Sequence, residues 1–168
     1  MQGTADTGEL LDRVQQQLGR VPNLYAAMAQ APAALEGYLA MREQLGHGVL
    51  RLRVREQLAL LVAQENDCTY CVSAHSLRGA KLGLTEPQLL ATRDADDADP
   101  HTRALLALAR ELIRTRGRIG EETRELIAAA GVTEAEAGEV VAHVALNTLS
   151  NYYNHLARPV LDFPEVTA

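Results

Sequence analysis

Asp67-Cys68-Thr69-Tyr70-Cys71-Val72-Ser73-Ala74-His75 reads as the opening of an α-helix with reactive groups on one face. Asp67 is a good N-cap residue. The helical pattern runs on to about Lys81 and stops at Gly83, a helix-terminating glycine. Cys71 is three residues after Cys68 and His75 is four after Cys71, so a helix turns all three side chains to one side. Glu56 lies twelve residues before Cys68, on a helix expected over about 53–64 with Leu58, Leu61 and Val62 inside. Glu65-Asn66-Asp67 reads as a break and restart. Such a reversal would bring Glu56 toward His75.

Outward from this stretch the chain stays helical. No segment alternates as a strand would, so the expected fold class is all-α. A first amphipathic helix spans 7–18, with Leu10, Leu11, Val14 and Leu18 on one face. Pro22 and Pro32 stand near the starts of two more, the second over about 32–45. Thr85 with Gln88, and Thr133 with Glu136, are capping boxes that open later helices. Asp94 to Asp99 is an acidic linker ending at Pro100. Helices are then expected at about 101–115, 120–130, 133–149 and 150–158, followed by an extended tail packed down through Leu161 and Phe163.

An echo occurs at an offset of 83 residues. It aligns Glu56 with Glu139, Ala59 with Ala142, Tyr70 with Tyr153 and Ala74 with Ala157. Cys68 falls on Asn151, Cys71 on Asn154 and His75 on Arg158. This reads as two copies of one helical unit, an active one at about 48–93 and a degenerate one at about 131–162. A chain of 168 residues fits a single domain over 1–168.

Composition excludes several classes. The net charge is −6 and Lys and Arg cluster nowhere, which argues against nucleic-acid binding. No apolar run is long enough to span a bilayer. Met1-Gln2-Gly3-Thr4-Ala5-Asp6 lacks the basic and apolar regions of a signal peptide, so a cytoplasmic location is expected. There a Cys-x-x-Cys pair serves redox chemistry or metal binding more often than it staples a fold.

Both cysteines of the chain lie in that one motif, beside a histidine and a carboxylate. These are the parts of a thiol redox site: nucleophile, resolving thiol, base, and a group to orient the base. A helix N-terminus favours thiolate through its unpaired N–H groups and partial positive charge. His75, one turn from Cys71, makes Cys71 the better-activated thiol. Oxidised to a sulfenic acid, it would condense with Cys68 to a disulfide. Glu56 would hold the second ring nitrogen of His75.

Three other readings stand beside this one. The thiols could be inert and buried. Cys68, Cys71, His75 and Glu56 could ligate zinc in a metal- or redox-sensing protein without catalysis. His75 alone could serve as acid or base in a cofactor-free reaction on a small lactone or carboxylic acid. Among the other histidines, His143 reads as a satisfied core or interface residue. His155, near Asn151 and Asn154, could line a pocket. Tyr70 reads first as core, with a wall of the substrate pocket or a hydrogen-bond donor to the site as the alternatives.

Glu56, the gap to Cys68-x-x-Cys71, and His75 resemble the signature of the AhpD-like alkylhydroperoxidases within the carboxymuconolactone decarboxylase superfamily. Val21-Pro22-Asn23, Arg55-Glu56-Gln57 and Asn151-Tyr152-Tyr153-Asn154 resemble further family features. The resemblance implies a helical fold with a duplicated core, assembled as trimers or hexamers. It implies reduction of organic hydroperoxides in antioxidant defence, without a bound cofactor or metal. An external thiol reductant, a lipoyl or thioredoxin-like protein, would regenerate the site. It implies a peroxidatic Cys71, a resolving and proton-donating Cys68, and a Glu56–His75 proton relay. The chain departs from the best-known member at Tyr70, where that protein has a second histidine.

Overall fold

Seven consecutive residues, Gln57 to Ala63, are all buried within one helix. A helix with no face for water must be surrounded by other elements. The computed structural model describes residues 6–168, and among these it shows nine α-helices and no strand. They are α1 (Thr7–Leu18), α2 (Asn23–Met28), α3 (Pro32–Gly46), α4 (Leu52–Glu65), α5 (Thr69–Lys81), α6 (Glu86–Arg93), α7 (Pro100–Thr115), α8 (Glu121–Ala129) and α9 (Glu134–Ala157). The buried helix is α4, and α5, α6, α7 and α9 pack against it. The all-α expectation holds.

Two apolar clusters lie on opposite sides of α4. Leu60 and Ala63 join Leu10, Met28 and Leu35 of α1–α3, and Cys68 and Cys71 belong to this cluster. Leu58 and Leu61 join Leu105, Leu106 and Leu108 of α7 and Val140 of α9. The reactive helix α5 therefore starts inside an apolar layer. No helix among the described residues is long and apolar enough to cross a membrane. The leader reading falls on residues 1–5, which lie outside the described residues.

Both capping boxes form as read, at Thr85–Gln88 and Thr133–Glu136. Three local expectations change. Asp67 does not cap α5: it takes a left-handed conformation, φ 52°, and Cys68 is the N-cap. The helices expected at 133–149 and 150–158 are one helix, α9. Two polar residues at the expected break find partners within the continuous helix: Ser150 Oγ donates to the Asn147 carbonyl and Asn151 Oδ1 accepts from Asn66. The acidic linker is tied down rather than free. Asp99 caps α7 through Thr102 N–H, and Asp97 accepts from the buried Gln57 amide at 2.7 Å.

The tail is fastened across α2 and α5. Asp162 accepts the Asn23 N–H at 2.8 Å and the Tyr70 hydroxyl. The Asn23 amide donates to the Val160 carbonyl, and the Val166 N–H donates to Ser73 Oγ at 2.8 Å. Phe163 meets the Tyr70 ring edge to face, with centroids 5.6 Å apart.

Candidate active site

Cys68 ends the loop after α4 and begins α5. Its N–H reaches the Ala63 carbonyl at 2.9 Å, which closes the turn through Asn66 and Asp67. Its sulfur accepts the Cys71 backbone N–H at 3.3 Å, as a Ser or Asp side chain would at this place. Both thiols are free and buried, with 2% and 4% of their surface exposed.

The Cys68 and Cys71 thiols act on each other. The hydrogen bond from Cys71 is the chief cause that brings the Cys68 thiol down to about 7. Burial opposes it, while the Cys71 backbone N–H, His155 and Asn154 assist. The same hydrogen bond, with burial and the Cys68 charge, pushes the Cys71 thiol up. Ionisation thus favours Cys68, whereas nearness to His75 had pointed to Cys71. Access favours Cys71. It borders a small cavity of about 30 Å³, shared with Tyr70, His75 and Phe163, and Cys68 does not.

Asn154 of α9 donates its amide N–H to Cys71 Sγ at 3.0 Å. Asn154 is not among the site residues expected from the sequence, although it closes the Asn151-Tyr152-Tyr153-Asn154 segment. The signal that could have found it is the 83-residue offset, which aligns it with Cys71. The offset is also the separation across which the two side chains touch.

Glu56 and His75 meet as the chain reversal suggested. His75 Nδ1 lies 2.7 Å from Glu56 Oε2, with side chains 14% and 16% exposed. Burial works against the Glu56 charge. The His75 charge and hydrogen bond, then Arg78 and Arg42, overcome it and hold the carboxyl below its usual range. An ionised carboxylate only accepts, so Nδ1 carries a hydrogen and a neutral His75 has Nε2 open for proton exchange. A larger cavity of about 210 Å³ opens on this pair. His75, Tyr38 and Arg78 border both cavities.

The remaining candidates sort by contact. Tyr70 is core, as read, and also a hydrogen-bonding partner of Asp162. Its burial and that contact push its hydroxyl up. His155 Nε2 donates to the Asn66 carbonyl at 2.7 Å. His143 is buried, as a core or interface residue would be, and among the described residues its Nε2 has no partner. Among the described residues, no three His, Cys, Asp or Glu side chains are placed to hold one metal ion.

The sequence model of the carboxymuconolactone decarboxylase family matches residues 32–111, from α3 well into α7. No curated protein matches the chain. A peroxidase-related protein from Silicibacter sp. TM1040 is 24% identical; the match covers 94% of this chain and 86% of that one, with a TM-score of 0.79. A peroxidase-related protein with an alkylhydroperoxidase AhpD core, from Ralstonia eutropha JMP134, is 26% identical over 92% and 85%, with a TM-score of 0.78. The debrominase Bmp8, solved with 2,3,4-tribromopyrrole, is 16% identical over 95% and 87%, with a TM-score of 0.76. Over residues 32–111 the chain is similar to the carboxymuconolactone decarboxylase family, and it shares its fold with structures that have an alkylhydroperoxidase AhpD core.

Proposed function

We propose that the chain is a thiol-dependent peroxidase that reduces organic hydroperoxides through Cys71 and Cys68. The observation that carries this reading is the pair of free, interacting thiols at the N-terminus of α5, one turn from the Glu56–His75 pair. The names of the two peroxidase-related structures agree with it. The debrominase shares the fold, so the fold alone does not single out peroxide chemistry, and the reading rests on the thiol pair beside Glu56 and His75.

The steps follow from the geometry. The Cys71 proton passes along the S–H···S contact to Cys68, leaving a Cys71 thiolate facing the small cavity and steadied by Asn154. That sulfur attacks the terminal oxygen of the hydroperoxide. An S–O bond forms, the O–O bond breaks, and the leaving alkoxide takes a proton from Cys68, or from His75 when that ring is protonated on both nitrogens. Cys71 becomes a sulfenic acid and the alcohol departs. The Cys68 sulfur then attacks the sulfenic sulfur, an S–S bond forms, and hydroxide leaves as water with one proton. An external dithiol supplies the two electrons that reduce the disulfide; lipoyl and thioredoxin-like proteins are the candidate classes. In the same reading α9 is the degenerate copy of the α4–α5 unit, with Asn154 in the place of Cys71.

The test is the mass of the reduced protein before and after one equivalent of cumene hydroperoxide, with alkylation of free thiols. Loss of two hydrogens and of both alkylatable thiols is expected. Cys68→Ser should leave a sulfenic acid trapped on Cys71. A sulfenic acid found only on Cys68, in the Cys71→Ser protein, would reverse the roles. A second reading has one observation behind it: the larger cavity opens on His75 and Glu56 and not on the thiols. It makes His75 the acid or base of a cofactor-free reaction, and turnover that survives loss of both cysteines would favour it.

A further inference from the structure

The larger cavity holds charge that the thiol chemistry does not use. Arg42 of α3, Arg55 of α4 and Arg78 of α5 converge on it. None of the three has an ion-pair partner among the described residues. Arg55 donates one N–H to the Leu45 carbonyl at 2.9 Å, but its Nε is buried without a partner. The two carboxylates on the wall are already engaged, Glu56 by His75 and Glu43 by Arg13 at 3.5 Å. The cavity is therefore a local surplus of positive charge in a chain whose net charge is −6.

His143 supplies an independent sign of a missing ligand. It borders the same cavity, only 5% of its surface is exposed, and Nε2 has no hydrogen-bond partner among the described residues. Buried polar atoms without partners are uncommon and costly unless something fills the site. Burial, then Arg55, holds His143 below the usual histidine range, so at neutral pH the ring is uncharged and Nε2 can donate.

We propose that this cavity is a carboxylate subsite, and that the chain takes small acidic hydroperoxides in preference to neutral ones. Guanidinium groups suit a carboxylate because their N–H groups match its two oxygens. The other wall residues, among them Leu39, Ala59 and Leu146, suit the organic body that bears it. About 210 Å³ is below the range of drug-sized pockets, which sets the substrate as small. A ligand anchored at Arg42 and Arg78 reaches past His75 toward the cavity that Cys71 borders. The inference about substrate preference rests on the peroxidase reading; the anion site does not.

Two measurements separate them. Cumene hydroperoxide and its para-carboxy derivative present the same reacting group with and without the charge. The second-order rate constant for thiol oxidation is expected to be at least about tenfold larger for the carboxylated peroxide, as one charged hydrogen bond can supply. In Arg42→Gln and Arg78→Gln the ratio of the two constants should fall toward one. Equal constants in the unaltered protein, with both peroxides consumed, would overturn the proposal and leave the peroxidase reading intact. The unreactive alcohol, 4-(2-hydroxypropan-2-yl)benzoate, is then titrated calorimetrically into the reduced protein. Binding that weakens about tenfold in Arg42→Gln, with neither peroxide reduced, would keep the subsite and retire the peroxidase reading. No binding of this alcohol by the unaltered protein overturns the subsite whatever the peroxides do.

Discussion

Replacing Cys71 by alanine removes the hydrogen bond that does most to acidify Cys68. In the unaltered protein the Cys68 thiol lies at about 7, so about half of it is ionised at pH 7. A free cysteine titrates near 8.5, at which about 3% is ionised at pH 7. The backbone N–H of Cys71 and the Asn154 amide remain in the variant, so the midpoint should rise without fully reaching that value. Thiolate absorbance in the ultraviolet reads this directly, because Cys68 is then the sole thiol. The unaltered protein should show one thiolate appearing around pH 7 and no second one nearby, since Cys71 is pushed up. Cys71→Ser, which keeps an O–H donor, should fall between the two. A Cys71→Ala midpoint at or below about 7 would refute the acidification of Cys68 by Cys71 and assign the acidity to the helix terminus and His155. Near-native circular dichroism of both variants keeps the comparison clean.

Glu56→Gln should slow peroxide-driven disulfide formation at least about tenfold, because an amide N–H facing Nδ1 inverts the ring tautomer that a carboxylate imposes. Glu56 is held below its usual range, so the stability it lends is present at neutral pH and lost as pH falls through its folded value. The difference in melting temperature between the two proteins should therefore shrink below about pH 4.3, and a constant difference down to pH 3 would contradict the pairing. Tyr70→Phe leaves Asp162 without its hydroxyl partner and should cost about 1–3 kcal/mol in denaturant unfolding. An unchanged midpoint there would mean that the Tyr70–Asp162 hydrogen bond adds nothing to stability. Gly48→Ala should cost about 1–2 kcal/mol, since a Cβ would lie within 2.3 Å of the Glu139 carboxylate that accepts the Val49 and Leu50 N–H groups. Glu139→Ala should then mask most of the Gly48→Ala effect.

The helix pattern was legible because its signals are local. A capping box joins residues three apart, so Thr85–Gln88 and Thr133–Glu136 act the same way in any surrounding. The shared face of Cys68, Cys71 and His75 likewise follows from helical spacing alone. Glu56 could be tied to His75 because one short reversal separates their helices. The start of α5 was misplaced by one residue for a physical reason as well. Asp67 has the better capping side chain, but its left-handed backbone turns Cys68 into the cap. The sulfur that receives the Cys71 N–H is thereby part of the helix terminus.

What the sequence by itself determined is an all-helical chain, a reactive helix with two thiols and a histidine on one side, and a carboxylate within reach. Only the tertiary structure decided which thiol ionises first, because burial and the S–H···S contact depend on how α4, α5 and α9 enclose them. It also decided that Asn154 holds Cys71, that Asp162 anchors Tyr70, and that three unpaired arginines and His143 face one cavity. Tyr70 and Asp162, for example, lie 92 residues apart in the chain. No periodicity within a helix specifies which residues meet across such a distance; the packing of apolar faces around α4 does.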